Sequence, residues 1–259
     1  MWKILFAFII IVLLSGCWGN ENQPVDQTEN ENPDSLTEMF EDSAYYDENE
    51  DNGNISGQQT SPGNLQNSSP EDIAKLRQTP EFHYKRAHVL YKIRNWAEGI
   101  KEFDTVIQME PDLADAFKYR ANGYMQLGRY DAAIEDYERA INIDRSDTTS
   151  YSQLALCWYN LRNYEKCIGV NSELIGLNPG RAQSYFSRAV VYGQINDFEN
   201  ALNDFDKAIQ LDPKFAEAYF NRGLAFYKSG SAKSACEDWE KAKKLGYKKA
   251  EKVLNQYCK

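Results

Sequence analysis

Residues 114–147 have the sequence ADAFKYRANGYMQLGRYDAAIEDYERAINIDRSD, and the same arrangement of small and large residues returns at a period of 34 residues. The five units begin at Pro80, Ala114, Thr148, Ala182 and Ala216. Most units place small residues at their eighth and twentieth positions and large, mostly aromatic residues at their eleventh and twenty-fourth. A period of this length predicts repeated supersecondary units that stack on their neighbours, because one unit alone cannot bury its apolar side.

The pattern resembles the tetratricopeptide repeat, which is a pair of antiparallel helices in 34 residues. The eighth positions carry the resemblance most clearly, and they are Ala87, Ala121, Ala155, Ala189 and Gly223. The resemblance implies an all-α solenoid of five helical hairpins, over 80–113, 114–147, 148–181, 182–215 and 216–249. Pro111, Pro179 and Pro213 are expected to follow the second helix of their units, since proline cannot continue a helix.

Both ends of the repeat region have helical signals of their own. The last residues, 247–259, read YKKAEKVLNQYCK and place apolar residues at helical spacing, which predicts a capping helix over the fifth unit. A short leading helix is expected over 71–79. The third unit departs from the pattern at Cys167, Asn171 and Leu174. Either the core repacks locally there, or the unit forms a looser joint.

The charge of the chain is concentrated in one segment. The chain has 259 residues and a formal net charge of −10, but residues 18–70 contain twelve acidic residues and no lysine or arginine. The rest is close to neutral, which argues against nucleic-acid binding. Low hydrophobicity with charge of one sign predicts that residues 17–70 form a disordered tether.

The N-terminus has the pattern of an export signal. Residues 4–14 are eleven consecutive apolar residues, too few for a membrane-spanning helix. They precede Leu14-Ser15-Gly16-Cys17, which resembles the bacterial lipobox. The resemblance implies a signal peptide over 1–16 and a mature N-terminus at Cys17, acylated and held in the cell envelope, in the outer membrane rather than the inner one. The alternative is an ordinary signal peptide with a chance cysteine.

Four further cysteines permit two disulfides in an exported protein. In an antiparallel hairpin, residues equidistant from the turn lie opposite each other. Cys236 and Cys258 are centred on the turn before the capping helix, and Cys157 and Cys167 on the turn of the third unit. Both bridges are therefore geometrically plausible. The alternative is that these cysteines are small buried residues with free thiols.

The resemblance places partner contacts at the fifth, ninth, twelfth and thirteenth positions of the first helices, a surface that we call the groove face. The candidate binding residues on it are Tyr84, His88, Tyr91, Lys118, Asn122, Met125, Leu156, Tyr159, Phe186, Val190, Phe220, Leu224 and Tyr227. Many are apolar and none is acidic, which favours protein or peptide partners unless neighbouring helices cover them. Lys118 and Asn122 match half of a known carboxylate clamp, but Gln153, Gln183 and Ser187 replace its remainder.

The sequence contains no motif that indicates catalysis. A Gly-rich phosphate loop, a GxSxG elbow and an HExxH helix are all missing, so we expect no enzyme activity, no cofactor and no metal site. His83 and His88 lack the spacing of a metal pair, and Asp136 with Glu138 is expected on a solvated face. The favoured function is a membrane-tethered scaffold for protein complexes in a bacterial envelope. The alternative is delivery of a small hydrophobic solute in a transport system.

Overall fold

The computed structural model describes residues 75–258, and eleven complete α-helices follow one another within them. They are α1 Pro80–Lys92, α2 Trp96–Met109, α3 Ala114–Gln126, α4 Tyr130–Ile143, α5 Thr148–Asn160, α6 Tyr164–Leu177, α7 Ala182–Gln194, α8 Phe198–Leu211, α9 Ala216–Lys228, α10 Ala232–Lys244 and α11 Lys249–Tyr257. Successive helices pair as hairpins, which confirms the predicted all-helical repeat array. The first helix of each hairpin begins at the first residue of its unit.

Each hairpin turns at a residue in the left-handed backbone region. The fifteenth residues of the units have φ between 58° and 91°, and they are Arg94, Gly128, Arg162, Asn196 and Gly230. The next residue closes the turn, as where the Arg129 N–H donates to the Tyr124 carbonyl oxygen at 2.9 Å. This six-to-one bond satisfies a carbonyl group that the helix end leaves open. Asn95, Asn163 and Asp197 then cap the following helices through their side-chain oxygens.

Small buried residues let the helices approach closely, and large rings fill the remaining space. Gly223 shows why one unit has glycine at the eighth position. A Cβ atom there would lie 2.6 Å from the indole nitrogen of Trp239, which donates to the Phe220 carbonyl oxygen at 3.2 Å. The fully buried Trp239 therefore requires this glycine.

The last helix, α11, covers the end of the array through buried Ala250 and Leu254. A disulfide joins Cys236 on α10 to Cys258, directly after α11, with the two Cα atoms 5.8 Å apart. The first of the two predicted bridges is therefore formed. Closing a loop of this length stabilises the fold by about 3 kcal/mol.

The second predicted bridge is wrong, because Cys157 and Cys167 have free, buried thiols. Cys157 faces the second unit and packs in a cluster with Tyr137 and Leu174. Cys167 faces the interior of its own hairpin and packs with Ala155. The equidistant rule fails here because the two side chains leave their helices on different faces.

Several predictions concern residues 1–74, which lie outside the described part of the chain. They are the signal peptide, acylation of Cys17, the acidic tether and residues 71–74 of the predicted leading helix. Residues 75 and 76, which belong to the same predicted helix, are described and are helical. Within residues 75–258, no helix has the length and apolar character needed to cross a membrane.

Candidate interaction face

The thirteen predicted contact residues lie on the five first helices, α1, α3, α5, α7 and α9. The structure gives them different surroundings along the array. In repeats 1 and 2 most of them are committed to contacts within the protein, whereas in repeats 3–5 several keep an open apolar surface. The groove face is therefore not uniform along the array.

In repeat 1, the groove-face aromatics pack on one another. The Tyr84 and His88 rings lie 4.7 Å apart, and His88 lies 4.4 Å from Tyr119 of repeat 2. Tyr91 inserts between the repeats, and its hydroxyl donates to the Tyr119 carbonyl oxygen at 3.1 Å. Its ring occupies the space that a side chain at Gly123 would need. These three residues consequently act as packing groups between repeats 1 and 2.

In repeat 2, the polar groove-face residues already have internal partners. Lys118 forms ion pairs with Asp115 at 2.5 Å and Asp147 at 3.8 Å. The buried Tyr137 hydroxyl lies 2.5 Å from the Asn122 Oδ1 atom, to which it donates, and 3.1 Å from the Met125 sulfur. Lys118 and Asn122 match half of the carboxylate clamp in sequence. Because these internal contacts already use both side chains, the pair is not available to bind a carboxylate.

Phe186 and Phe220 belong to the core. They are 7% and 3% exposed, respectively. Phe186 packs 4.8 Å from the Phe215 ring, and Phe220 packs 4.8 Å from Tyr247 beside the capping helix. In both repeats the segment that follows the second helix covers the fifth position, so these two rings are inaccessible to a partner.

An apolar row remains open in repeats 3–5. Leu156 is 37% exposed and Tyr227 is 41% exposed, both high values for large apolar side chains. Val190 and Leu224, at the same ninth position as Leu156, are half-buried. Tyr159 packs beside Tyr164, and burial raises its pKa to about 12. We call Leu156, Tyr159, Val190, Leu224 and Tyr227 the apolar row.

The apolar row has amide and hydroxyl groups beside it in repeats 3 and 4. The groove-face positions of these two repeats, together with the adjoining second and sixth positions, have no acidic residue. Their polar members are Thr149, Ser152, Gln153, Asn160, Gln183, Ser187 and Gln194. Arg181 lies at the edge, where it donates to the Ser152 hydroxyl at 3.2 Å. Amide groups both donate and accept hydrogen bonds, so they match the backbone of an extended peptide. The surface therefore suits an uncharged apolar segment.

A series of arginine–carboxylate pairs was not anticipated from the sequence. Arg120 binds both carboxylate oxygens of Asp136, at 2.8 and 2.6 Å, and reaches Asp104 of the preceding repeat at 2.7 Å. Asp136 is only 5% exposed, so its predicted position on a solvated face is wrong. The sequence does contain a pattern that indicates these pairs, because an arginine and an aspartate 16 residues apart recur in several repeats.

Repeats 4 and 5 have the same pairs. Arg188 binds Asp204 at 2.7 and 2.9 Å, and Arg222 binds Asp238 at 2.8 and 2.7 Å. The hydrogen bonds that Arg222 donates to the Asp238 carboxylate outweigh burial and raise the pKa of Arg222 above its ordinary value. Each arginine also contacts the preceding repeat, so we call Arg120–Asp136, Arg188–Asp204 and Arg222–Asp238 the ion-pair ladder.

Two concavities within residues 75–258 lie at the C-terminal end of the array. One is lined by Lys243, Tyr247 and Glu251, and the other lies beside the disulfide, between charged residues of α10 and Leu254. Both are open and flanked by charged residues, unlike an apolar chamber for a solute. No cluster of three or more metal-ligating residues occurs in the same part of the chain.

Comparison with known proteins identifies the repeat. A family model described as "Tetratricopeptide repeat" matches residues 114–147, and one described as "TPR repeat" matches residues 189–230. Both matches lie within the described helices, so the chain contains tetratricopeptide repeats. No curated protein sequence matches it.

Several solved protein structures have a similar fold. The crystal structure of MamA protein is 21% identical, with a TM-score of 0.61, over 68% of this chain and 95% of that one. MamA 41-end from Desulfovibrio magneticus RS-1 is 14% identical, with a TM-score of 0.60, over 64% and 94%. YrrB, described as a TPR protein with an unusual peptide-binding site, is 17% identical, with a TM-score of 0.57, over 68% and 91%. At these identities the likeness is one of fold.

Proposed function

We propose that this chain is a protein-interaction scaffold that binds an extended, apolar segment of a partner protein on the groove face of repeats 3–5. The observation that carries the proposal is the apolar row, in which Leu156 and Tyr227 keep more than a third of their surface exposed. Helix packing does not require large apolar side chains at open positions. Exposed apolar surface of this kind is typical of binding sites.

The fold supports a peptide partner in particular. Stacked repeats place equivalent residues side by side along one surface, which suits a long, linear segment better than a compact ligand. YrrB, which has the same fold, is itself described as having a peptide-binding site. No catalytic step and no cofactor are part of the proposal.

We further propose that Cys17 is acylated and that the scaffold serves complexes in a bacterial envelope, at the outer membrane. The lipobox-like residues Leu14 to Cys17 support the anchor. The bridge between Cys236 and Cys258 supports an extracytoplasmic location, because structural disulfides persist in oxidising compartments. The acidic segment 17–70 then separates the repeats from the lipid surface.

The binding proposal is tested by crosslinking in intact cells, followed by purification of the full chain and mass spectrometry. The groove variant is Leu156→Gln with Tyr227→Gln, which keeps helix-forming residues but removes apolar surface. The matched control is Leu127→Gln with Leu161→Gln, since these leucines are 44% and 39% exposed but lie at hairpin turns. We expect a defined set of proteins with the wild type and the control that is lost with the groove variant. Equal recovery with both variants would contradict the proposal.

The anchor is tested separately by growing cells with radiolabelled palmitate. We expect label in the wild-type chain, sedimentation with outer-membrane fractions, and loss of both in a Cys17→Ser variant. Cys157→Ala serves as the control, because its thiol is buried in the repeat core. Label that persists in Cys17→Ser would overturn lipidation at this residue.

A further inference from the structure

The residue that directly follows the first helix has a large aliphatic side chain in four of the five units. These residues occupy the fourteenth position, are 39–44% exposed, and are Ile93, Leu127, Leu161 and Ile195. They lie at the hairpin turns, after α1, α3, α5 and α7. Because stacked repeats place equivalent residues side by side, the four side chains follow one edge of the array, which we call the turn edge.

The geometry of the turn does not require these aliphatic side chains. The Leu127 N–H donates to the Gly123 carbonyl oxygen at 3.2 Å, and in the fifth unit the Ser229 N–H makes the equivalent bond to the Ala225 carbonyl oxygen at 2.9 Å. A serine therefore closes the same turn through the same backbone bond. Exposed apolar surface that folding does not require is typical of an interaction surface.

The next residue along the chain is also unusual in repeats 1 and 3. Arg94 and Arg162 have φ of 60° and 58°, in the left-handed region, where repeats 2 and 5 have glycine and repeat 4 has Asn196. Glycine and asparagine adopt this conformation more readily than arginine, so these two turns give up some stability to keep a cation there. Each arginine directly follows an exposed aliphatic residue, Ile93 or Leu161.

Positive charge accompanies the turn edge in repeats 1–3. The thirteenth to sixteenth positions of these repeats contain no carboxylate, and their basic residues are Lys92, Arg94, Arg129 and Arg162. Repeat 4 differs, because Asp197 occupies its sixteenth position. The acidic residues that follow these turns lie in the first turn of the second helices, at Glu98, Asp131 and Glu165. Basic and aliphatic residues therefore lie side by side at the tips of the first three hairpins.

The opposite edge of the array, where the second helices end, has a different charge in repeats 1 and 2. Met109, at the end of α2, is 42% exposed and is followed by Glu110 and Asp112. Asp144 follows α4, and hydrogen bonds from Ser146 hold the pKa of its carboxyl group below the ordinary value. In these repeats, apolar surface is therefore accompanied by negative charge on one edge and by positive charge on the other.

We propose that the turn edge of repeats 1–3 is a membrane-contact surface for an anionic lipid bilayer. Ile93, Leu127 and Leu161 enter the headgroup region, and the neighbouring lysine and arginine side chains contact lipid phosphates. Apolar side chains flanked by basic ones bind bilayer interfaces through buried apolar surface and through attraction to anionic lipids. A row of protruding turns also fits a continuous surface, whereas a peptide is received by a groove.

This contact adds to the proposed lipid anchor and does not depend on it. Three aliphatic side chains and four cations give a weak, reversible association on their own. A chain that its N-terminus holds near a bilayer has a high effective concentration at that surface, so a weak contact suffices to orient it. The repeats concerned are those closest in sequence to the tether. Lipid at the turns leaves the groove face of repeats 3–5 open, so the groove test and its control are unaffected.

The test attaches the environment-sensitive fluorophore NBD to one residue of the turn edge. The full chain carries Cys17→Ser and Leu127→Cys, and the label reacts with the new thiol. The thiols of Cys157 and Cys167 are buried and have pKa values raised to about 12, so they react slowly. The matched control is Leu177→Cys in the same background, since Leu177 is 46% exposed but lies at the opposite edge, at the end of α6.

Vesicles of phosphatidylcholine and phosphatidylglycerol, about 2:1, provide the anionic bilayer, and vesicles of phosphatidylcholine alone provide the neutral one. On the anionic vesicles, we expect NBD emission at position 127 to rise at least twofold and to be quenched by nitroxide-labelled lipid. The emission at position 177 should change little. The rise at position 127 should be smaller on neutral vesicles and should fall as salt is added, since salt screens exposed charges.

Arg94→Asn with Arg162→Asn then tests the basic residues and keeps the turns, because Asn196 occupies the same left-handed position in repeat 4. Each cation near an anionic surface strengthens the contact about fivefold, so the rise at position 127 should fall to less than half. Equal signals at positions 127 and 177, no rise at position 127 on anionic vesicles, or an unchanged rise in the arginine variant would each overturn the proposed surface. Any of these results leaves the peptide and anchor proposals standing, because the label reports only on the turn edge.

Discussion

Cys157 and Cys167 are buried thiols whose surroundings disfavour ionisation. Cys157 packs among apolar side chains, and the Cys167 thiol donates to the Ala155 carbonyl oxygen at 3.2 Å. Burial raises the pKa of both thiols to about 12, from an ordinary value near 9. An unfolded chain would therefore release these protons at a lower pH than the folded one.

This difference predicts a loss of stability in alkaline solution. Between pH 9 and pH 12 the unfolded state carries fewer protons, so the free energy of unfolding falls as the pH rises, by about 1.4 kcal/mol per pH unit for each thiol. Urea unfolding at pH 8, 9, 10 and 11 measures the slope. A Cys157→Ala, Cys167→Ala variant keeps every other titrating group and should show a shallower slope. Parallel pH profiles for the two proteins would contradict the burial argument.

Gly169 and Gly176 lie within α6 and have open space around them. Replacing either with alanine should raise the free energy of unfolding by roughly 0.5–1 kcal/mol, because alanine loses less backbone entropy in a helix. Urea unfolding measures the gain. Gly128→Ala is the opposing control, since φ of 71° at Gly128 penalises a side chain by about 1 kcal/mol. A loss of stability at positions 169 and 176 would show that these glycines have a packing role.

At the scale of the hairpin, the ion-pair ladder is interrupted in repeat 3. Leu154 and Val170 occupy the positions that hold arginine and aspartate in repeats 2, 4 and 5. Leu154 is buried and Val170 packs on the adjoining clusters. The same place in the repeat therefore accommodates either a bidentate ion pair or two apolar side chains. Replacement of a buried ion pair by packed apolar residues often costs little stability, because the charges no longer have to be desolvated.

The repeat 3 arrangement predicts how the pair in repeat 4 can be replaced. Arg188→Leu alone should cost about 3 kcal/mol, because it leaves the Asp204 carboxylate buried without its partner. Adding Asp204→Val should recover most of that loss, to within about 1 kcal/mol of the wild type. Thermal and urea unfolding of the three proteins test this. A double variant as unstable as the single one would mean that the pair has a role beyond mutual compensation.

The hairpins themselves were predictable from the sequence, whereas the exposure of the groove face was not. The 34-residue period gives the helices and turns, because small residues and glycines recur at fixed positions. Phe186 and Leu156 both occupy groove-face positions, yet Phe186 is covered and Leu156 is open. That difference depends on Phe215, the last residue of the same unit, which packs on the Phe186 ring, and the groove-face position of a residue does not by itself indicate such a contact.

The ladder was missed for a related reason. A charged residue on a helix is usually solvated, so Asp136 alone gives no sign of burial. Only the recurrence of arginine and aspartate at 16-residue spacing across several units indicates a contact. The disulfide between Cys236 and Cys258 was accessible from geometry, whereas the orientation of Cys157 toward the second repeat depends on packing between units.

Across the whole array, stability is the sum of repeats and their neighbouring interfaces. We expect repeat 3 to be the weakest unit because of two features. It has Asn171 where other repeats bury an aromatic ring, and α6 contains Gly169 and Gly176. The side-chain amide of Asn171 donates a hydrogen bond to the Cys167 carbonyl oxygen at 2.9 Å, within the same helix. We therefore expect the centre of the array to be less stable than its flanks.

Native-state hydrogen exchange on the full chain should find this weakness. Amides of α6 should open with a lower free energy than those of α4 and α8, the equivalent helices of the flanking repeats, because exchange follows the local opening free energy. The Gly169→Ala, Gly176→Ala variant should raise the protection of α6 and leave α4 and α8 unchanged. A uniform protection pattern would instead mean that the repeats open as one unit, with the contacts across repeat 3 as strong as those elsewhere. If α6 does open more readily, repeat 3 is the flexible part of the array, and it contains Leu156, the first residue of the apolar row. A bound peptide that spans repeats 3–5 should then reduce hydrogen exchange in α6 more than in any other helix.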